Sequence, residues 1–215
     1  MIRTRKHIPT NLKRRQANPL PVMEQFYTLQ GEGRWTGTAA YFIRLAGCDV
    51  GCHWCDVKES WHPKEDQYEE VHALTEKALA SGTERVVITG GEPTVYDLSL
   101  LTSSLRKAGL KVHMETAGPH AFSGEFDWVC LSPKKFLPPQ EAFYQKAHEL
   151  KVIIFNDSDF QWAEEHAARC AEHVELYLQP EWSRRDRFHE KIVAYIKANP
   201  QWRLSLQTHK YLDIP

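Results

Sequence analysis

The sequence contains no run of 18 apolar residues and no apolar stretch of 7–15 residues behind its basic N-terminus, so neither a membrane-spanning helix nor a secretory leader is expected. It also lacks the even, spread-out cysteine count of a disulfide scaffold. There are five cysteines, and three of them fall between positions 48 and 55. That clustering points to a metal centre and to reduced thiols in a cytoplasmic protein. Net charge is nearly absent, 27 basic against 28 acidic residues and a formal −1, which removes bulk charge as an argument for nucleic-acid or membrane binding. Acidic residues are missing altogether from residues 1–21, where six Lys and Arg and three prolines occur, leaving −7 for the rest. This segment reads as a basic, extended or flexible N-terminal extension, either a solvated tail or a phosphate- or RNA-binding arm. Repeats, linkers and low-complexity stretches are absent after it, so residues 22–215 are expected to form one domain with ample length for a core.

Apolar or β-branched runs at 39–46, 85–89, 111–116, 128–132, 150–155, 174–179 and 202–207 read as strands. Between several of them, apolar residues recur at helical spacing: Val71, Leu74, Ala78 and Leu79; Leu98, Leu101, Leu105 and Ala108; Phe188, Ile192 and Ile196. Short-step alternation of strand and helix implies parallel strands joined by right-handed crossovers. About 250 residues make a closed eight-unit barrel. With roughly six units here, the pattern fits an incomplete TIM-like (β/α)6 barrel or an open doubly wound sheet.

The unusual residues fall in phase with this pattern. Gly47–Cys55, Gly90-Gly91-Glu92-Pro93, Glu115-Thr116-Ala117-Gly118, Ser132-Pro133-Lys134, Gln179-Pro180-Glu181-Trp182 and Gln207-Thr208-His209-Lys210 each follow a strand. In α/β folds that edge carries the active site, because strand ends converge there and loops can vary without disturbing the core.

Cys48, Cys52 and Cys55 form a CxxxCxxC loop. Zinc could take these or His53 together with a distant Cys130 or Cys170, although structural zinc usually pairs one CxxC with a second pair. Three thiolates without a fourth suit a cubane iron–sulfur cluster with one iron open to another ligand. Cys130 and Cys170 read as small core residues in a strand and a helix. Lone histidines such as His113 and His173 are assigned no role.

CxxxCxxC with Trp54 before its third cysteine is similar to the radical S-adenosylmethionine (SAM) superfamily, and Gly90-Gly91-Glu92-Pro93 looks like that superfamily's GGEP motif. Phe26-Tyr27-Thr28-Leu29-Gln30-Gly31-Glu32-Gly33, Tyr41-Phe42-Ile43-Arg44, Ser132-Pro133-Lys134, Gln179-Pro180 and Pro215 resemble the 7-carboxy-7-deazaguanine synthase family over nearly all of the chain after residue 21. The resemblance narrows the fold to the incomplete barrel. It implies a lyase that turns 6-carboxy-5,6,7,8-tetrahydropterin into 7-carboxy-7-deazaguanine and ammonia, on the route to queuosine and related 7-deazapurines used in tRNA modification. Hydrogen abstraction at C6 by a 5′-deoxyadenosyl radical would begin a ring contraction.

The residues follow from the same resemblance. Cys48, Cys52 and Cys55 would hold a [4Fe-4S] cluster, and Gly90, Gly91, Glu92, Ser132, Pro133, Lys134, Gln179, Pro180, Glu181 and Trp182 would bind SAM. Glu115 would accept its ribose hydroxyls, or be a solvated turn carboxylate. Leu29, Gln30, Gly31 and Thr89 would contact the pterin. Arg44 alternates with Tyr41, Ile43 and Leu45 in its strand, so it faces the other way, with Phe42; a cation there suits a bidentate hold on the substrate carboxylate, or an outer salt bridge. Pro215 would bring its own carboxylate to the substrate. A homodimer, a small-molecule pterin substrate and an electron donor such as flavodoxin or ferredoxin are implied, with no membrane or nucleic-acid partner.

One position departs from the pattern. The family places a Thr or Ser hydroxyl on a magnesium ion two residues after the third cysteine, where this chain has Val57, and a hydrocarbon side chain cannot ligate magnesium. Asp56 or water could take over, or the Lys58 ammonium could replace the ion, which is the expectation adopted. Two rival readings are a radical SAM activating enzyme that makes a glycyl radical on a protein partner, and a zinc-containing RNA-binding module using the basic arm.

Overall fold

The computed structural model describes residues 18–215. Almost all of the basic extension therefore lies outside the described residues. Its last residues do not: β1 spans Leu20–Leu29, and Leu20 is fully buried, pairing with Glu69, so the folded domain starts slightly earlier than the expected boundary at 22.

The chain then runs β2 (Ala39–Leu45), β3 (Tyr68–Glu69), α1 (Val71–Ala80), β4 (Arg85–Gly90), α2 (Ser99–Lys107), β5 (Lys111–Thr116), β6 (Trp128–Leu131), α3 (Glu141–Lys146), β7 (Glu149–Ile154), α4 (Asp159–Ala167), β8 (Glu175–Pro180), α5 (Arg185–Ala198), β9 (Trp202–Leu204) and α6 (Thr208–Leu212). Among the described residues, one sheet holds all nine strands in the order β3-β1-β2-β4-β5-β6-β7-β8-β9. From β2 to β9 the neighbours are parallel, and the two strands at the other edge, β1 and β3, are antiparallel. The sheet does not close, as expected of a partial barrel. Five of the six parallel crossovers carry a helix; the β5–β6 connection, residues 117–127, carries none.

Alternation along each strand separates two faces. Tyr41, Ile43 and Leu45 enter the main apolar core, with Ile88, Met114, Val152 and Leu178 from neighbouring strands. The helices bring Leu74, Leu101, Leu105, Phe143, Ala163, Phe188 and Ile192 to the same core. Truncating one of these fully buried leucines to alanine is expected to cost about 2–5 kcal/mol. The opposite face holds only a small apolar cluster, Ala40, Phe42 and Val87 with Phe26 against it, and is otherwise polar.

Several details differ from the sequence pattern. Leu79 is exposed on α1 rather than buried. Cys170 lies in the turn after α4, not in a helix, although it does pack against the core. β9 stops at Leu204, short of the expected 207, although the Ser205 N–H still donates to the Leu178 carbonyl at 2.9 Å.

Candidate active site

The strand ends and their loops enclose a cavity of about 400 Å³, within the size range of small-molecule and cofactor sites. Cys48, Cys52 and Cys55 line it, with the Gly90–Glu92 turn, Leu29–Gly31, Arg44, Thr89, Glu115, Ser132, Lys134, Gln179–Trp182 and Pro215. Of the residues given a cluster, SAM or substrate role by the family resemblance, all but Pro133 are among the lining residues, whereas Lys58 is not. Pro133 borders a smaller neighbouring cavity. Lys58 opens a short 3-10 turn and its side chain is exposed to solvent, so the expectation that it serves the site in place of magnesium finds no geometric basis.

The cysteine loop leaves β2 through Gly47, whose N–H donates to the Ser60 carbonyl at 2.6 Å, and the Cys48 N–H donates to the Trp61 carbonyl at 3.2 Å. Its three cysteines pack with Val50 and Ala117, and with Phe136 and Leu137 beside them, in one small apolar cluster. Burial pushes the Cys48 thiol up to about 12 and the Cys52 thiol up to about 11. Such thiols become thiolates only when a metal centre displaces their protons, so the donor set fits an iron–sulfur cluster. Among the described residues, no three His, Cys, Asp or Glu side chains converge as ligands of a single ion would. Cys130 and Cys170 stand outside this cavity lining, so the mixed zinc set considered from the sequence does not assemble.

Glycine is required where the second loop meets the first. Gly90 has φ +140°, and a Cβ there would collide with the Leu45 carbonyl; a Cβ on Gly91 would strike the Gly47 carbonyl. That closeness allows the Gly91 N–H to donate to the Leu45 carbonyl at 2.9 Å and the Glu92 N–H to the Gly47 carbonyl at 2.8 Å. The buried Glu92 carboxylate accepts from the Thr94 N–H, the Thr94 hydroxyl, the Thr116 hydroxyl and the Ala117 N–H. Its side chain is thus a tie between the β4 and β5 ends, and the turn offers the cavity its backbone.

The cavity wall across β5 and β7 is a buried charge network. Lys151 is 3% exposed and pairs with Glu32 and, at 3.4 Å, with Glu115. Burial would push the Glu32 carboxyl up, but the Lys151 ammonium and the Gln207 amide, which donates at 2.8 Å, hold it at about 2. Burial would push Lys151 down, but Cys130, Glu115, Glu32 and Glu149 around it hold it well above its ordinary value. The Gln30 amide donates to Glu115 at 2.7 Å and accepts from the Glu32 N–H at 3.0 Å. Glu115 is therefore a positioned carboxylate and not a solvated turn residue. Arg44 pairs with Glu24 at 2.6 Å, so the salt bridge is present, and the residue also lines the cavity.

The segment after β9 forms one side of the cavity. The Thr208 N–H and hydroxyl both donate to the Gly31 carbonyl, at 2.9 and 3.0 Å, and the His209 ring lies where a Gly31 side chain would go. Lys210 pairs with Asp56, next to Cys55, at 2.6 Å. Glu32, Lys151, Gln207, His209 and Lys210 were given no role from the sequence. A signal for three of them existed in the Gln207–Lys210 strand-end cluster, and for Lys151 in a lysine at an otherwise apolar strand position.

The radical SAM superfamily profile matches residues 42–131, which run from β2 to the end of β6. A 7-carboxy-7-deazaguanine synthase from Flavobacterium psychrophilum is 53% identical, over 91% of this chain and 93% of its own. One from Synechocystis is 50% identical, over 90% and 93%. Among solved structures, QueE from Escherichia coli superposes with a TM-score of 0.79 at 33% identity, covering 87% of this chain and 93% of its own. With the cysteine loop, the GGEP turn and the QGE turn gathered on one cavity, and with that identity along nearly the whole length, the chain belongs to the 7-carboxy-7-deazaguanine synthase family of radical SAM lyases.

Proposed function

We propose that the chain converts 6-carboxy-5,6,7,8-tetrahydropterin into 7-carboxy-7-deazaguanine and ammonia, with Cys48, Cys52 and Cys55 holding a [4Fe-4S] cluster. The observation that carries this reading is the meeting of the three cysteines, the GGEP backbone and the Leu29–Gly31 turn on one cavity. Substrate and product differ by one NH3, so the conversion is redox-neutral overall. When bound, the cluster and SAM supply the radical chemistry that takes a hydrogen from C6 of the pterin.

The chain's own residues bind, orient and exclude water. The Gly90–Glu92 backbone, Ser132, Lys134 and Gln179–Trp182 line the cavity with the cysteines and would hold SAM. Lys134 is steadied for this by the Ser132 carbonyl and hydroxyl, at 2.6 and 2.7 Å. Leu29, Gln30, Gly31 and Thr89 would meet the pterin, Arg44 its carboxylate, and Glu115 the N–H or O–H donors that reach the charge network. Trp54, Trp61 and Trp182 give apolar walls that keep water from the reacting C–H bond.

The same reading extends to the surroundings of the site. Among the described residues the outer stretch of β1 is covered by no third strand and exposes Tyr27, with Tyr68 on β3, which supports a homodimer across this edge. A one-electron donor of the flavodoxin or ferredoxin type would reduce the cluster. No helix among the described residues is long and apolar enough to cross a membrane.

Oxygen-free reconstitution should give a brown protein with about four irons per chain. Mass spectrometry of its reaction with the carboxytetrahydropterin should then show the deazaguanine. A colourless protein with one zinc and no such product would refute the proposal.

A further inference from the structure

Magnesium does not fit this cavity, and we propose that the ammonium of Lys210 supplies in its place the positive charge that receives the substrate carboxylate. The inference rests on the functional reading above, which gives the substrate its carboxylate.

The misfit begins with the donors. Val57, two residues past the third cysteine, lines the cavity and carries no oxygen on its side chain. The neighbouring oxygen ligand, Asp56, is already engaged: the Lys210 ammonium stands 2.6 Å from its carboxylate and 3.2 Å from the Gln207 amide oxygen. A divalent ion brought to Asp56 would meet a fixed positive charge within a few ångströms, and like charges at that range repel strongly where water is partly excluded. Hard cations such as magnesium need oxygen ligands in near-octahedral array.

The cations that line the cavity are not equivalent. Lys151 is enclosed by Glu32 and Glu115, so its charge is neutralised before any ligand arrives. Lys134 is turned onto the Ser132 carbonyl and hydroxyl below Trp54. Arg44 and Lys210 are different, because each is paired with a carboxylate that faces solvent: Glu24 is 45% exposed and Asp56 58%. Pairs of that kind hold weakly, and an incoming carboxylate can share or displace the partner. Lys210 is itself only 21% exposed, and its ammonium lies over the Trp182 ring at 5.2 Å. The side chain is thus held at the wall by an aromatic face, with its charge beside Cys55–Val57. Helix α6 keeps it there, since Thr208 is bonded to Gly31 and the Ile214 N–H donates to the His209 carbonyl at 3.2 Å.

The cluster-loaded enzyme tests this directly. In magnesium-free buffer, with chelator at a level that leaves the iron content unchanged, turnover should stay within about twofold of that with added magnesium. Lys210→Met should raise KM for the carboxytetrahydropterin roughly 10- to 100-fold with a smaller change in kcat, and Lys210→Arg should restore most of the loss. Binding gives a readout apart from turnover. Titrated into the SAM-loaded enzyme and followed by tryptophan fluorescence, the carboxylated pterin should bind at least about tenfold tighter than the same pterin without its carboxylate. Lys210→Met should cut that preference several-fold, with Arg44 holding what remains. The double variant Val57→Thr, Lys210→Met should acquire a magnesium requirement.

Stimulation of the wild-type enzyme by magnesium of tenfold or more would overturn the inference while leaving the functional reading intact. So would a Lys210→Met variant that keeps the full preference for the carboxylated pterin. Absence of the deazaguanine product under every condition overturns the functional reading and this one with it.

Discussion

Replacing Lys151 with methionine keeps the length of the side chain and removes only its charge. In the wild-type fold the ammonium is enclosed, touching Glu32 and Glu115, with Glu149 and Cys130 also close enough to act on it. Removing one partner of a buried pair typically costs about 3–5 kcal/mol, because the charge left behind keeps its desolvation penalty and loses its compensation. At about 2–4 °C per kcal/mol for a chain of this size, the melting temperature should fall by roughly 6–20 °C.

The pH dependence gives the sharper test. Glu32 sits at about 2 in the folded wild type against an ordinary 4.5, so its contribution is fully present above 4.5 and is lost as pH falls toward 2. Without Lys151, burial is opposed only by the Gln207 hydrogen bond and the His209 charge, and the folded value rises well above about 2. Protonation of Glu32 then relieves the variant as the solution is acidified. The difference in melting temperature between wild type and variant should therefore be widest at neutral pH and narrow steadily towards about pH 4. Thermal unfolding of both proteins, followed by circular dichroism across that range, measures it. A gap that does not change with pH, or one below about 1 kcal/mol at pH 7, would show that the network is not held by this charge.

Three further outcomes follow from the same geometry. Glu92→Gln puts an N–H pair where two acceptor oxygens serve four donors, so it should destabilise the fold by about 1–3 kcal/mol in urea unfolding, and Thr116→Val, which removes one donor, should cost less. Gly91→Ala should lower both iron incorporation and SAM binding while far-ultraviolet circular dichroism stays unchanged, because the new methyl group meets the Gly47 carbonyl at the root of the cysteine loop. Alanine at Cys48, Cys52 or Cys55 should abolish the brown colour and most of the iron, whereas Cys130→Ala, at a cysteine outside the cavity lining, should keep both; equal iron loss at all four would argue against the ligand assignment.

Much of this was legible because strand periodicity and strand-end chemistry were in phase. Seven of the nine strands were readable as apolar runs, and the loops after them supplied most of the cavity lining. β1 was read only as a motif: lying at the sheet edge, it buries Leu20–Val22 and then alternates imperfectly, so no clean period marks it as a strand. α3 escaped because six residues are too few to show helical spacing. Lys151 escaped for a different reason. A lysine within an apolar run reads as an exception on an outward face, and only the register, which places Glu115 beside Cys130 and Cys130 beside Glu149, shows that its neighbours are polar and enclosed. Lys58 is near the cysteine loop in sequence, whereas Lys210, which pairs with Asp56, reaches that loop from the far end of the chain through α6.

The sheet's division into an apolar face under the helices and a polar face around the cavity bears on how this architecture can diversify. Residues that drive collapse, such as Ile43, Ile88 and Leu178, and residues that line the cavity, such as Arg44, Thr89 and Gln179, are immediate neighbours in sequence yet point apart. A substitution on one set leaves the other's packing largely untouched, so the chemistry offered to a ligand can drift while the folding core is conserved in volume. The exception is the charge network around Lys151, where a single side chain belongs to both, and there a change of specificity and a loss of stability would arrive together.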